Sequence, residues 1–327
     1  MFTPTTFALA MVMMVTSTVC WGSWANTYKL TKGYRFELFY WDYAIGIFLI
    51  SLIMAFTLGS TGPGESFLEN VAAADRSNIV YALIGGFIFN IANLLLVAGI
   101  EMAGLAIAFP LAIGVALVEG VILSYALQPK GDATMLAVGV GLAILAVIAD
   151  GLAYGSLASG GRAISRKSVV VCLVSGLLMG AFAPFVTRAL TAGHPLTSYS
   201  IAVFFTLGAL LCCFVVNVYF MRRPLVGEPV DFSGYFRQRP QDHALGVLGG
   251  FVWGTGTVFN FVAAGFVGVA ISYAIGQAAP MVAALWGVLV WKEFRGANGR
   301  AKGYLAAMFA FYLLALFVIA RAYTSAA

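Results

Sequence analysis

GGFVWGTGTVFNFVAAGFVGVAISYAIGQAAPMVAALWGVLVWKE, from Gly249 to Glu293, is the stretch that decides the fold. It consists of two apolar runs that meet at Ala264 to Val267 with almost no loop between them. Small and hydrogen-bonding side chains are scattered through both runs. Because each run is about 20 residues long, the pattern predicts a membrane helical hairpin with polar residues inside it.

An earlier stretch repeats this pattern. Superposed without a gap, Gly85, Gly86, Phe87, Gly104, Ala106 and Ile107 match Gly249, Gly250, Phe251, Gly268, Ala270 and Ile271. In the same way, Ser17, Gly22 and Ala25 match Ser175, Gly180 and Ala183. The sequence therefore predicts that the chain contains its fold twice.

Composition fixes the class of protein. Hydrophobic residues make up 61% of the 327 residues and charged residues only 9%, whereas a soluble domain carries about 25% charged residues. In lipid, only helices and closed barrels satisfy their own backbone hydrogen bonds. The long, continuous apolar runs favour helices over alternating barrel strands, so we predict an all-α polytopic membrane protein.

The chain divides into ten predicted membrane spans, with no stretch left over for a second domain. They cover residues 7–27, 39–59, 79–100, 103–127, 133–154, 169–190, 198–221, 243–264, 267–290 and 302–322. Residues 1–160 and 161–327 are the two predicted five-helix repeats of one transporter domain. Pro110, Pro184 and Pro280 are predicted to interrupt the fourth, sixth and ninth helices.

Basic residues predict the orientation. One set of alternate connections contains Lys29, Lys32, Arg35, Arg162, Arg166, Lys167, Arg222, Arg223, Arg237, Arg239, Lys292, Arg295, Arg300 and Lys302, whereas the other contains Arg76, Lys130, Arg188 and Arg321. Because basic loops stay in the cytoplasm, we expect both termini outside a cell membrane, the inner membrane in a bacterium. This asymmetry explains the net charge of +5 without a nucleic-acid partner.

An odd number of helices in each half inserts the second half upside down relative to the first. The expected seam is the basic connection from Gly155 to Ser168. Inverted repeats of this kind build secondary transporters, in which a central site opens to each side in turn. The pattern therefore predicts a 5+5 inverted repeat and alternating access.

Three motifs carry a resemblance to a known family. They are WGSWANTYK at Trp21–Lys29, FELFYWDY at Phe36–Tyr43 and VLVWKEFRGANGR at Val288–Arg300. With the five-plus-five pattern, the chain resembles the drug/metabolite transporter superfamily, and most of all its ureide permeases and the neighbouring rhamnose/proton symporters and glucose/ribose porters. Plant ureide permeases carry a long central loop that the short seam here lacks, so the resemblance implies transport but no loop-based regulation.

Polar side chains inside a bilayer are candidates for a functional site, because they are costly unless they face the bundle interior. The substrate-binding candidates on four helices are Trp21, Trp24, Asn26, Asn90, Asn93, Trp253, Thr257, Asn260, Tyr273 and Gln277. Amides and hydroxyls both donate and accept hydrogen bonds, so they suit a neutral polar solute such as a ureide, nucleobase or sugar. The same side chains also join helices, and for each amide both roles stay open.

Carboxyl groups inside the spans are rarer and more informative. Glu119 lies well inside the fourth helix, and our hypothesis makes it the proton-coupling residue, the alternative being a structural hydrogen bond. Asp42 is the second coupling candidate. Asp150 and Glu101 are expected near the interface or paired with the basic loops.

The sequence lacks the motifs of several metal-binding, nucleotide-binding and enzyme classes. The four cysteines lie in spans without metal-ligand spacing, and the sequence has no Walker phosphate loop, dinucleotide fingerprint or nucleophile elbow. We expect no enzyme activity, cofactor or metal.

Three functions remain after these exclusions. The first is a secondary importer of a small polar solute, coupled to protons or to sodium and working as a monomer or homodimer. The alternatives are an exporter of metabolites or toxic amphiphiles, and a membrane receptor or assembly subunit that moves nothing.

Overall fold

The computed structural model describes residues 1–157 and 165–325, without the side chains of residues 105–107 and 109. Within these ranges, ten helical segments are long and apolar enough to cross a membrane, and no strand is present. The predicted all-α polytopic class is confirmed. Arg162, the boundary between residues 160 and 161, and half of the Gly155–Ser168 seam lie outside the described residues.

The helices follow the predicted spans, and each predicted end lies within three residues of an observed one. The elements are α1 (Phe7–Ser23), α2 (Ala25–Lys29), α3 (Phe36–Phe56), α4 (Phe67–Ala73), α5 (Arg76–Ala103), α6 (Leu105–Leu127), α7 (Ala133–Gly155), α8 (Arg166–Thr191), α9 (Ser198–Cys212), a π-helical segment (Cys213–Asn217), α10 (Val218–Arg222), α11 (Phe232–Phe236), α12 (Pro240–Val267), α13 (Val269–Gly276), α14 (Ala279–Leu289) and α15 (Gly299–Thr324). The two short helices α4 and α11 were not predicted. Ser66 caps α4 with a capping box, and Asp231 caps α11.

One of the three predicted proline interruptions is present. The ninth span breaks at Gln277 and Ala278, directly before Pro280 in the first turn of α14. Pro110 and Pro184 instead lie inside the continuous helices α6 and α8, so those two predictions are wrong. Neighbouring helices and local adjustment satisfy the backbone groups that a proline frees in a membrane helix.

Two pairs of long helices are joined by single glycines. Gly104 connects α5 to α6 with φ 78°, and Gly268 connects α12 to α13 with φ 94°. Only glycine adopts this left-handed backbone without strain. α5 and α12 are both 28 residues long, and each ends at its glycine, so the predicted near-loopless hairpins are confirmed.

The same two helices make close backbone contacts at equivalent glycines. A Cβ at Gly86 of α5 would lie 1.7 Å from the carbonyl oxygen of Phe205 on α9, and a Cβ at Gly250 of α12 would lie 2.2 Å from that of Tyr43 on α3. Glycine is needed at both positions because small residues allow membrane helices to pack backbone to backbone.

The two sets of connections lie at opposite ends of the bundle. At one end, which we call the terminal face, Phe2 N donates to Leu58 O (2.7 Å), Asp75 N to His194 O (3.0 Å) and Asp132 N to Ala322 O (2.7 Å). At the other end, the basic face, Lys29 pairs with Glu293, Arg35 donates to Glu228 O (2.9 Å) and Lys167 to Leu225 O (3.5 Å). The loops that the sequence sorts by charge are therefore also sorted in space.

Candidate functional site

A cavity of about 350 Å³ lies in the middle of the bundle and extends toward the basic face. Both halves of the sequence contribute to its wall: the first half through α1, α2 and α5 to α7, and the second half through α8, α9 and α12 to α14. Seven of the ten predicted binding residues line it: Trp21, Trp24, Asn26, Asn93, Trp253, Thr257 and Gln277.

Stacked aromatic rings form one wall of the cavity. The ring centroids of Trp21 and Trp253 are 5.9 Å apart with 20° between their planes, and those of Trp253 and Phe89 are 4.8 Å apart with 26° between them. Trp21 Nε1 donates a hydrogen bond to Thr257 Oγ1 (3.1 Å), which in turn donates to Trp253 O (3.1 Å). This bond fixes the orientation of the first ring in the wall.

Glycines make the space that Trp21 occupies. A Cβ at Gly276 would lie 2.4 Å from Trp21 Cζ3, and a Cβ at Gly256 would lie 3.1 Å from Trp21 Cδ1. Gly22, beside Trp21 on α1, packs against Ala279 O in the same way, with 2.5 Å left for a Cβ. The glycine-rich sequence of the second hairpin therefore positions this indole.

The helix break in the ninth span supplies a free amide to the cavity. Gln277 lies between α13 and α14, is half-buried, and makes no side-chain hydrogen bond to any residue that the structure describes. Asn93 donates its Nδ2 hydrogen to Tyr40 Oη (2.9 Å), and no described residue donates to its Oδ1. Both amides therefore retain groups that can bind a solute.

Three of the predicted residues join helices and do not line the cavity. Asn90 accepts from Tyr40 Oη (2.7 Å) and donates to Cys213 Sγ (3.6 Å). Asn260 Nδ2 donates to Ser272 O (3.1 Å), across the α12/α13 hairpin. Tyr273 Oη lies 3.2 Å from Ala116 O and 3.1 Å from Met179 O. All three side chains are buried among helices.

The two predicted coupling carboxylates lie outside the cavity lining. Glu119 packs against Gly180 of α8, where a Cβ would lie 2.9 Å from its Oε2, and this oxygen has no hydrogen-bond partner among the described residues. Asp42 accepts from Tyr34 Oη (2.7 Å) and Tyr235 Oη (2.6 Å), and His243 Nδ1 lies 2.8 Å from its Oδ2. We call these four side chains the Asp42 cluster.

Burial and the hydrogen bond to Asp42 raise the pKa of both tyrosine hydroxyls in this cluster above the usual value of 10.0. Tyr34 and Tyr235 therefore stay protonated and remain hydrogen-bond donors to the carboxylate over the physiological pH range. The Asp42 cluster ties α3 to α11 and α12 at the basic face.

Asp150 is a cavity residue that the sequence analysis assigned elsewhere. We expected it at the interface or paired with a basic loop, but it is 1% exposed, lines the cavity, and has a buried Oδ1 without a partner in the described ranges. One sequence feature could have indicated a cavity position: the aspartate lies among the small residues Ala149, Gly151 and Ala153 of an apolar helix.

An ion pair and an indole ring stand at the mouth of the cavity. Lys29 Nζ contacts Glu293 Oε1 and lies 4.4 Å from the ring centroid of Trp291, while Tyr154 Oη donates to Glu293 Oε2 (3.3 Å). Trp291 Nε1 donates to Asn26 Oδ1 (2.6 Å). With side chains 44% and 32% exposed, the lysine and glutamate mark the end of the cavity that faces solvent.

Aromatic rings cover the opposite end of the cavity. Phe205 packs edge-on against Phe261 (ring centroids 5.3 Å apart) and Phe182 (5.4 Å). These three side chains, which we call the aromatic plug, line the central cavity from the parts of α8, α9 and α12 that lie nearer the terminal face. A second cavity of about 500 Å³ lies at the terminal face and is lined by Met1, His194 and Val262 among others.

The described residues contain no cluster of three or more His, Cys, Asp or Glu side chains that could hold a metal ion. The chemistry of the cavity lies in its indole rings, in the amides of Asn93 and Gln277, which retain free groups, and in the carboxyl group of Asp150. An apolar pocket with a few converging polar groups, built from both halves of a ten-span helical bundle, is typical of a membrane transport protein.

Comparison with known proteins identifies the family. The sequence model of the ureide permease family matches residues 39–168 and 163–322, and this chain belongs to that family. It is a transporter of small polar solutes and not an enzyme.

Similar proteins cover nearly the whole chain. Ureide permease 1 of Arabidopsis thaliana is 23% identical over 95% of this chain and 96% of its own length, and Ureide permease 4 of the same plant is 22% identical over 94% and 95%. A probable ureide permease A3 of Vigna unguiculata is 31% identical over 33% of this chain. A crystal structure superposes with a TM-score of 0.63 over 95% of this chain at 17% identity, which supports the fold alone.

Proposed function

We propose that this protein takes up a small neutral polar solute, a ureide, a nucleobase or a sugar, through the central cavity. The observation that carries the proposal is the wall of stacked rings, Trp21, Trp253 and Phe89, in the same cavity as the free amides of Gln277 and Asn93. Flat polar solutes stack on indole rings, and a ureido group has the N–H donors and C=O acceptor that amides bind.

The charges of the lining support a neutral solute. Lys29 and Glu293 neutralise each other at the mouth. Among the described lining residues, Asp150 is the remaining charged side chain, and the inner wall contains no cation that would bind an anionic solute. The volume of about 350 Å³ lies near the lower end of the range for small-molecule sites, about 300 to 1,000 Å³, and therefore favours a small solute over a bulky amphiphile.

The names of the relatives favour ureides within this class. Ureide permeases 1 and 4 of Arabidopsis thaliana align with this chain from end to end. Ureides and nucleobases present N–H and C=O groups and sugars present hydroxyl groups, and amide side chains can bind all of these, so the relatives decide which class to test first. Uptake, as opposed to export, is part of the same proposal.

Alternating access through a 5+5 inverted repeat is the proposed mechanism. It is supported by the equal lengths of α5 and α12 and by their equivalent glycine contacts. The aromatic plug would open when the mouth at Lys29 and Glu293 closes, exposing the same site to the terminal face. Because basic loops stay in the cytoplasm, we place the basic face inside the cell and both termini outside.

Protons are the proposed coupling ion, with sodium as the alternative. Glu119, the candidate from the sequence, keeps an unpartnered Oε2 but contacts Gly180 instead of the cavity. Asp42 is held by three partners, and this pairing supports a structural role more than a coupling role.

Binding and transport of representative compounds test the proposal. The purified protein is screened by thermal shift and by tryptophan fluorescence with allantoin, uracil and ribose, and exchange of the labelled compounds is followed in proteoliposomes. We expect at least one compound to raise the unfolding temperature and to exchange. Failure of all three compounds to bind or exchange would contradict the proposed function.

A matched pair of tryptophan variants tests the location of the site. Trp253→Leu removes the middle ring of the wall and is expected to weaken binding at least tenfold. Trp286→Leu is the control, because Trp286 is outside the lining and donates to Ser23 Oγ (2.8 Å). Equal binding by both variants would place the site elsewhere.

Labelling of single cysteines tests the orientation. Ser60, on the terminal face, and Arg295, on the basic face, are each replaced by cysteine in a background without the four native cysteines. A membrane-impermeant maleimide added to intact cells is expected to label the first variant and to leave the second unlabelled. The reverse pattern would invert the proposed topology.

A further inference from the structure

Asp150 combines three properties that neither of the predicted coupling residues, Glu119 and Asp42, has together. It is 1% exposed, it lines the central cavity, and its Oδ1 has no hydrogen-bond partner in the part of the chain that the structure describes. It also forms no ion pair within that part. Because this carboxyl group holds no hydrogen bond within the described structure, it can exchange a proton with water, or bind a solute, in the cavity.

The surroundings of Asp150 contain titratable groups but no cation that would hold it ionised. Tyr154 lies one turn further along α7 and donates to Glu293, which is paired with Lys29. Tyr312 lies on α15, the helix packed against α7, and its buried hydroxyl has no partner among the described residues. α14 carries no titratable side chain.

The last helix packed against α7 is α6, and its titratable groups are held elsewhere. Glu119 lies against Gly180 of α8, and Tyr125 Oη donates to Gly131 O (3.1 Å). Among the described residues that line the cavity with Asp150, the charged groups are Lys29 and Glu293, which are paired with each other at the mouth. A carboxyl group with no countercharge is stable as the neutral acid when water is excluded and ionises when the cavity fills with water.

We propose that Asp150 is the residue that carries the coupling proton, a role that rests on the proposed transport of a solute through the same cavity. When the cavity opens to the outer side, the carboxylate forms an O–H bond with a proton taken from water. The neutral acid crosses with the solute while both ends are closed. When the cavity opens to the basic face, the O–H bond breaks and the proton leaves to water there, so one proton moves per cycle.

Proteoliposomes with Asp150→Asn test this role. The probe is whichever of allantoin, uracil and ribose the unaltered protein exchanges. Exchange without a pH gradient needs binding and alternation but no net movement of protons, so it is expected to fall by a smaller factor than accumulation does. Accumulation driven by a pH gradient is expected to fall at least tenfold. Asp150→Glu keeps a carboxyl group and is expected to restore part of the accumulation.

Glu119→Gln is the matched control, because it removes the competing buried carboxyl group. It is expected to accumulate the probe like the unaltered protein. Full accumulation by Asp150→Asn, or its loss in Glu119→Gln alone, would overturn the assignment to Asp150. If the unaltered protein exchanges no probe, the proposed function fails instead, and the two failures are distinguishable.

Infrared spectroscopy provides a readout that needs no solute and no transport. The unaltered protein in detergent is expected to show the C=O stretch of a protonated carboxylic acid that decreases as the pH is raised. Asp150→Asn is expected to lack this component, and thermal unfolding establishes that the variant is folded. An unchanged carboxylic acid band in folded Asp150→Asn would also overturn the proposal.

Discussion

Asp42 and Asp150 are both buried near the basic face of the bundle, but they differ in their hydrogen-bond partners. Asp42 is 4% exposed and has two tyrosine hydroxyls and one imidazole nitrogen as partners, whereas Asp150 is 1% exposed and has a carboxyl oxygen without one. Burial of an acidic group therefore does not by itself indicate function in a membrane helix. The presence or absence of hydrogen-bond partners separates the structural carboxylate from the available one.

The largest effect in this comparison is expected at the paired aspartate. Asp42→Asn keeps the size of the side chain but removes the charge that Tyr34, Tyr235 and His243 are arranged around. Breaking a buried charged cluster costs roughly 3 to 5 kcal/mol, so the free energy of unfolding in detergent should fall by about this amount. Asp132→Asn is the comparison variant, because Asp132 only caps α7, through Met135 N (2.7 Å); its loss should cost about 1 kcal/mol. Equal losses in the two variants would remove the distinction.

The second effect has the opposite sign and concerns the unpaired aspartate. Asp150→Asn removes a buried acidic group that has no bond to lose, so the free energy of unfolding at neutral pH should stay the same or rise by up to about 2 kcal/mol. Chemical unfolding of the two aspartate variants side by side gives the measurement. A loss of stability as large as that of Asp42→Asn would indicate a partner for Asp150 and would break the comparison.

The buried Asn90 and the half-buried Gln277 extend the comparison to neutral side chains. Asn90 is bonded on both sides and Gln277 on neither. Asn90→Leu should therefore lower the free energy of unfolding by about 1.5 kcal/mol, with solute affinity nearly unchanged.

Gln277→Met should have the reverse profile, with unchanged stability and at least fivefold weaker solute binding. Thermal unfolding and binding titrations on the same two preparations give the measurements. If the two profiles are interchanged, hydrogen-bond partners do not distinguish binding amides from structural ones in this fold.

The smallest effect is a pH dependence of stability that originates in the Asp42 cluster. The pKa values of Tyr34 and Tyr235 are raised in the folded protein above their usual value of 10.0. Their contribution to stability is therefore complete below about pH 10 and is lost as the pH rises further, since the unfolded chain then releases protons that the folded chain retains.

Thermal unfolding from about pH 8 to about pH 11 measures this contribution. The double variant Tyr34→Phe/Tyr235→Phe should lose less stability over the alkaline part of this range than the unaltered protein. Other buried tyrosines titrate in both proteins, so the difference between the two curves isolates the cluster. Parallel curves would show that these two hydroxyls do not contribute to the pH dependence of stability.

The architecture could be predicted from sequence because hydropathy reports membrane burial directly. The predicted spans 79–100 and 243–264 are nevertheless three residues short at both ends of α5 and α12. Polar residues at the start of each helix, such as Arg76 and Asp242, lower the local hydropathy although the helix continues through them. The equivalence of α5 and α12 could be predicted because the glycines at their close backbone contacts occupy matching positions in the two halves of the sequence.

The site was predicted only in part, because helical spacing gives the direction of a side chain but not its partner. Asn90 and Asn93 lie three residues apart on one face of α5, yet the first bonds to Cys213 and the second reaches the cavity. The sequence does not show that the π-helical segment at Cys213–Asn217 brings a thiol beside Asn90. For the same reason, Asp150 could not be separated from an interfacial aspartate, since the absence of a cation beside it is a property of the assembled helices.

The single-glycine connections at Gly104 and Gly268 have a consequence for biosynthesis. A nascent chain normally orients each new span by the charges of the loop that follows it, but a one-residue connection gives the insertion machinery no loop to retain or export. The α5/α6 and α12/α13 pairs must then enter the bilayer as units, oriented by the spans on either side. A flexible, charged insert in either connection would create a loop between the two helices. The charges of that loop would then orient the two helices separately, which the natural one-residue connection does not allow.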